Sequence, residues 1–191
     1  MEQRRQVRRL LTLVRAVVRG TSVALAAEDY VAQLSGRLDA IARVQELLMR
    51  RPGADVDLME ILEDEFLTQR VSSPHVALPV CPLMVERRVA LLFALALHEL
   101  TTNAIQYGAL RTPQGVLAVQ WGLGPTAGWM SFEWHEEFSA LPAEEMHRDS
   151  GFGFKFIRDI LPGEIAANTS ISLQRRSLTC QIAFRASGPG H

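Results

Sequence analysis

His98-Glu99-Leu100-Thr101-Thr102-Asn103-Ala104-Ile105-Gln106-Tyr107-Gly108-Ala109-Leu110 is the stretch on which the reading of this chain turns. Glu99 and Asn103 are four residues apart, a spacing that stacks both side chains on one helix face. A carboxylate beside a carboxamide offers hard oxygen ligands, suited to Mg²⁺ shared with phosphate oxygens. Residues 87–97, just upstream, are almost wholly apolar, which predicts a buried helix. Two polar side chains ending a buried helix need partners, and a bound ion or nucleotide supplies them. An isolated Glu-x-x-x-Asn is more often a frayed polar helix end, so the reading rests on the whole block.

Working outward, the apolar periodicity predicts a long helix over 85–108. It is preceded by a strand at 76–78 and by a shorter helix over 58–68 that Asp57 caps. Strands are predicted at 116–121 and 129–134, with a turn at Gly124-Pro125. Gly151 leads into a helix over 154–161, and two last strands fall at 170–174 and 179–184. Towards the N-terminus, Val7, Leu10, Leu11, Val14, Val17 and Val18 mark one amphipathic helix. Val31, Leu34, Leu38, Ile41, Val44, Leu47 and Leu48 mark a second over 27–49, which Arg51-Pro52-Gly53 ends. Two long antiparallel helices do not bury their stripes alone, so pairing with a second copy into a four-helix bundle is expected; the alternative is packing against the rest of the chain. The pattern is α+β: an N-terminal helical hairpin (1–53), an α/β sandwich with helices on one face of a mostly antiparallel sheet (54–186), and a disordered tail (187–191).

With 191 residues, 48% hydrophobic and 21% charged, the chain has material for a real core. A formal net charge of −1 gives no global field for nucleic acid or membrane. Arg4, Arg5, Arg8, Arg9, Arg15 and Arg19 crowd the first helix, which reads as a solvated face. Cys81 and Cys180 match no metal spacing and read as reduced, partly buried thiols. No signal peptide is apparent, and the longest apolar stretch, 89–97, is too short to span a bilayer. A cytoplasmic protein is expected.

The quoted block resembles the N box of the HWE subgroup of bacterial sensor histidine kinases, which share an ATPase superfamily with gyrase, Hsp90 and MutL. The resemblance includes the subgroup's own histidine, His98, and the trailing Tyr-Gly-Ala-Leu. Trp134-His135-Glu136 resembles the Trp-x-Glu signature that supplies the other two letters. Gly151-Phe152-Gly153 resembles the family's second glycine box. The resemblance covers nearly the whole chain and implies a dimerisation domain plus a catalytic ATP-binding domain. It also implies roles. Glu99 and Asn103 organise Mg²⁺ and water, Glu136 accepts from the adenine amino group, and Gly151 and Gly153 bring backbone amides to the phosphates. Lys155 adds a point charge. The polar segment 139–150 is placed as a lid would be.

Two departures weaken that site. Phe138 and Ser139 stand where the family usually has a glycine pair, and Gln106 stands where it has a lysine directed at phosphate. A third departure bears on activity. Residues 2–21 resemble the phosphorylation helix, with Glu2, Val7, Leu11, Val14, Arg19 and Thr21 matching, but the phosphoacceptor histidine falls on Arg5. A neutral imidazole nitrogen is the nucleophile that takes the phosphoryl group. A guanidinium is permanently charged and has no available lone pair, so Arg5 cannot replace it. No histidine occurs in the first 74 residues.

The expectation is a degenerate histidine-kinase core without a sensor domain in this chain: a homodimer, ATP- and Mg²⁺-dependent if the pocket is filled, that does not autophosphorylate. It would regulate two-component phosphosignalling by docking a response regulator or a partner kinase. One rival is an active ATP-dependent kinase whose acceptor lies on a partner protein, which the retained Glu99, Asn103 and Gly151-Phe152-Gly153 favour. Another is a structural dimer that no longer binds nucleotide.

Overall fold

The computed structural model describes residues 12–15, 17–18, 27–139 and 151–185. The expectations for Arg5 and most of the first helix, for the lid over 139–150 beyond its first residue and for the tail 187–191 lie outside the described residues.

Helix α1 (Ala27–Arg50) carries Glu28 and Asp29 in its first turn, where the helix dipole favours negative charge. It ends at Arg51-Pro52-Gly53, with Gly53 at φ 77°, a left-handed conformation that costs glycine little. Helix α2 (Leu58–Thr68) starts at Asp57, whose Oδ1 accepts from the Met59 and Leu83 amides at 3.0 Å each. That second bond ties the helix start to a two-residue ribbon in which β1 (Val56–Asp57) pairs antiparallel with β3 (Met84–Val85). The ribbon escapes sequence reading because two residues are too few to show an alternation.

Strands β2 (Val76–Ala77), β4 (Val116–Leu123), β5 (Trp129–Glu137), β6 (Asn168–Leu173) and β7 (Ser177–Arg185) form one sheet in the order β2-β4-β5-β7-β6. Only β2 and β4 run parallel, so the sheet is mostly antiparallel as expected. Period-two alternation buries Leu117 and Val119, then Phe132, Trp134 and Glu136, then Leu178, Cys180, Ile182 and Phe184 on one face. Helix α3 (Arg87–Gln106) lies against that face, buried without interruption from Val89 to Thr101. Phe93 meets Phe132 edge-on at 5.3 Å and tilts onto Phe184 at 5.1 Å, contacts each contributing about 0.5–1.5 kcal/mol beyond burial. By length and composition α3 is apolar enough to cross a membrane, contrary to the shorter apolar stretch read from sequence. Its apolar window is 78% buried within the molecule, so its hydropathy is that of a core helix.

The helical run after Gly151 is longer than expected. It comprises α4 (Phe152–Lys155), a π-helical turn (Phe156–Ile160) and α5 (Leu161–Ile165). Pro162 has no amide hydrogen to give the preceding turn, and the run widens to π just before it.

Helix α1 packs on α3 of the same chain: Ala40, Ile41, Val44 and Leu48 are buried there, and Leu13 and Val17 join the same core. Part of the stripe expected to meet a second copy is therefore spent internally. Gly36 permits the approach, since a Cβ there would stand 3.0 Å from the His98 ring. Val31 (59% exposed) and Met49 (73%) still face outward. Both cysteines are free, Cys81 exposed and Cys180 buried, where partial burial of both was expected. Burial and the nearby Glu136 carboxylate push the Cys180 thiol up to about 12.

Candidate functional site

A cavity of about 480 Å³ opens where the C-terminal half of α3 meets α1, the end of β5 and the Gly151 loop. That volume is in the range of small-molecule sites. His98, Glu99, Asn103, Glu136, Gly151 and Gly153 all line it, as do the departures Gln106 and Phe138. Lys155 is exposed and is not among the lining residues. Trp134 lies behind the wall, fully buried, and donates its indole N–H to Glu136.

Glu136 ends the inward-facing series Phe132–Trp134–Glu136, which puts a carboxylate under the α3 C-terminus with no solvent exposure. One oxygen accepts from Trp134 Nε1 and the other from the Ala109 amide, both at 2.8 Å. A Cβ on Gly108 would stand 1.9 Å from that second oxygen, so the Gly108–Ala109 turn closes over the carboxylate only because residue 108 is glycine. Burial raises the Glu136 carboxyl above its usual range, against the two hydrogen bonds that favour its anion.

Glu99 is engaged differently. Arg37 of α1 donates to its two oxygens from Nε (2.5 Å) and a terminal nitrogen (3.1 Å), in a pair buried on both sides. The guanidinium also lies 4.2 Å over the Phe152 ring, a cation–π contact. A Cβ on Gly153 would come within 2.8 Å of the Glu99 Cβ, so the glycine loop, the N-box carboxylate and Arg37 converge at one end of the cavity. Beside them, His98 Nδ1 is 2.9 Å from Glu65, which Arg43 and Gln69 also contact. Burial works against the Glu65 charge, but the His98 hydrogen bond and charge, with Gln69 and Arg43, hold its carboxyl below the usual range.

Apart from any motif, the cavity wall offers a partner to a polar ligand: Thr102 lines it with a buried Oγ1 that has no hydrogen-bond partner among the described residues. The same residues contain no group of three or more His, Cys, Asp or Glu side chains able to hold a metal, so a divalent ion held by Glu99 and Asn103 would draw on nucleotide oxygens as well.

Sequence reasoning missed Arg37 and Glu65, though a signal was present. Arg37 sits on the stripe Leu34–Leu38–Ile41, and Glu65 on the stripe Leu58–Ile61–Leu62–Phe66. A charge at a stripe position is forced inward and must find a partner there.

Three comparisons bear on this site. The family model for HWE histidine kinases matches residues 3–76. The Blue-light-activated histidine kinase of Brucella anthropi is 28% identical over 149 residues, 78% of this chain and 30% of that protein. Its counterpart in Brucella ovis is 27% identical over 162 residues, 81% and 29% respectively. The chain thus spans less than a third of the length of these relatives. Among solved structures, the histidine kinase domain of the Erythrobacter litoralis blue-light activated histidine kinase superposes with a TM-score of 0.62 at 15% identity, covering 91% of this chain and 93% of that one. A longer structure of the same protein gives 0.67 at 14% identity, covering 98% and 61%.

Proposed function

Proceeding from an HWE histidine kinase-like core of two-component signalling, a helical hairpin joined to an ATPase-like domain, we propose that the chain binds ATP with Mg²⁺ in the described cavity and does not phosphorylate itself. It regulates phosphosignalling in the cytoplasm by docking a response regulator or a partner kinase. The observation that carries the nucleotide reading is the convergence of Glu99, Asn103, Glu136, Gly151 and Gly153 on one cavity whose wall holds the Thr102 hydroxyl, without a hydrogen-bond partner among the described residues.

In this reading Glu136 holds the adenine end. Its buried carboxylate is oriented by Trp134 and Ala109, so it meets a base without having to be ordered first. Gly151 and Gly153 let the backbone approach the phosphates, and Asn103 with Glu99 faces the metal, which when bound neutralises phosphate charge. Lys155, exposed at the rim, adds long-range attraction. Arg5 stands at the acceptor position and lacks the lone pair that a phosphoryl acceptor needs. The outward Val31 and Met49 on α1 support homodimerisation through the hairpin.

Isothermal titration against receiver domains tests docking, with binding to at least one expected; no heat from any of a representative panel contradicts it. A second reading, an active kinase whose acceptor lies on a partner, is favoured by the retained Glu99, Asn103 and Gly151-Phe152-Gly153. Incubation with radiolabelled ATP and purified candidate partners that have no kinase activity of their own separates the two. The first predicts no label on this chain or on its partners, the second predicts label on a partner alone, and label on this chain contradicts both.

A further inference from the structure

Resting on the nucleotide reading above, we propose that Arg37, supplied by the helical hairpin, is the phosphate-binding cation of this site and exchanges its bond to Glu99 for one to the triphosphate. The chemistry of the wall motivates this. Among the described residues lining the cavity, Arg37 is the only arginine or lysine. Gln106 occupies the α3 position where a phosphate-directed lysine was expected, and Lys155 lies outside the lining. Besides His98, which is engaged by Glu65, the other charged lining residues are the carboxylates Glu99 and Glu136. A triphosphate entering such a wall meets repulsion unless Arg37 turns towards it.

Arg37 stands where that turn is short. Its guanidinium lies over Phe152, inside the Gly151-Phe152-Gly153 loop, and Gly153 itself abuts the Glu99 side chain. The cation, the glycine loop and the metal-directed carboxylate therefore occupy one end of the cavity. A guanidinium presents its donors in a planar fork that serves a carboxylate and a phosphate equally well. Exchange of partners thus conserves the hydrogen bonding of Arg37 while leaving the Glu99 oxygens for the hydrated cation that accompanies the nucleotide. The exchange also links the hairpin to the pocket, because the residue that reads the phosphates belongs to α1 and α1 is the helix packed on α3.

The test compares Mg²⁺-ATP with adenosine by titration calorimetry on the native chain, Arg37→Gln and Arg37→Lys. Adenosine probes the base end alone and reports whether each variant keeps its pocket. The expected result is an ATP-to-adenosine affinity ratio lowered about tenfold or more in Arg37→Gln, the worth of a charged hydrogen bond. Adenosine affinity should hold within about twofold, and Arg37→Lys should fall between native and Gln because it keeps the charge without the fork. If the Gln variant does not fold, the Lys variant alone carries the comparison. A ratio that stays the same or rises on losing the guanidinium overturns the proposal and makes Arg37 a cover over the site, while the nucleotide reading survives. Absence of ATP and adenosine binding to the native chain overturns both.

Discussion

Two carboxylates are buried near the cavity, Glu136 in its lining and Glu65 behind His98, and they are held in opposite ways. Glu65, on the helical side, is 2% exposed and faces His98, Arg43 and Gln69; its carboxyl is held below the usual range. Glu136, on the sheet side, is fully buried and hydrogen-bonds only to neutral donors, the Trp134 indole and the Ala109 amide, with His135 adding the smallest effect; its carboxyl is raised. Burial penalises both charges, so the difference lies in the partners: the hydrogen-bonded and charged groups around Glu65 outweigh desolvation, while two neutral hydrogen bonds and a more distant His135 do not outweigh it at Glu136. The helical wall is thus pinned by electrostatics, which also include Arg37–Glu99, and the sheet wall is held by hydrogen bonds that tolerate a proton.

The contrast is tested most severely by Glu65→Gln. Removing one member of a buried charged group leaves the others uncompensated, and a loss of about 3 kcal/mol is expected at pH 7 in denaturant unfolding. Because the Glu65 carboxyl is lowered, its contribution is present above its unfolded value of 4.5 and is lost as pH falls through the folded value. The gap between native and variant should therefore close in acid; a gap constant from pH 7 to pH 3 would show that the charge is not what holds this wall.

Trp134→Phe keeps the ring in the core and removes the indole donor to Glu136, for an expected loss of about 1–2 kcal/mol. Glu136→Gln should also cost less than Glu65→Gln, about 1–2 kcal/mol at pH 7, because it leaves one neutral N–H donor facing an amide nitrogen rather than buried charges uncompensated. Here the sign is reversed. A raised carboxyl contributes stability that is fully present below 4.5 and is lost as pH rises through the folded value, so the non-ionising variant should gain on the native chain towards higher pH. If the two Glu→Gln variants cost the same, the comparison fails. The smallest effect is expected at Arg51→Ala, which breaks the exposed pair with Glu60 for about 0.5 kcal/mol or less, as read from a thermal midpoint.

Much of this architecture was legible in the chain. The α1, α2 and α3 periodicities, the Asp57 cap and the four long strands follow from patterns long enough to repeat. The six cavity residues named from motifs lie together because the α3 C-terminus, the β5 end and the Gly151 loop meet at one edge. What was not legible depends on encounters between elements far apart in sequence. The Arg37–Glu99 pair joins residues 62 apart, and nothing local in either helix names the partner. The direction in which the α1 stripe packs was open in the sequence, because one apolar face serves a second copy or the chain's own core equally well. Gly36 marks the inward face, since a Cβ there would stand 3.0 Å from the His98 ring, but a glycine on a helix does not name that neighbour in the sequence.

The central claim is that the cavity walled by these two arrangements takes a magnesium nucleotide. Titration calorimetry of Mg²⁺-ATP against the native chain and against Asn103→Ala tests it most directly. Asn103 lines the cavity and is not part of the buried core, so its truncation should leave the fold intact. The account predicts saturable binding to the native chain and loss of most of that affinity in the variant. No binding to the native chain, or equal binding by both, would contradict it.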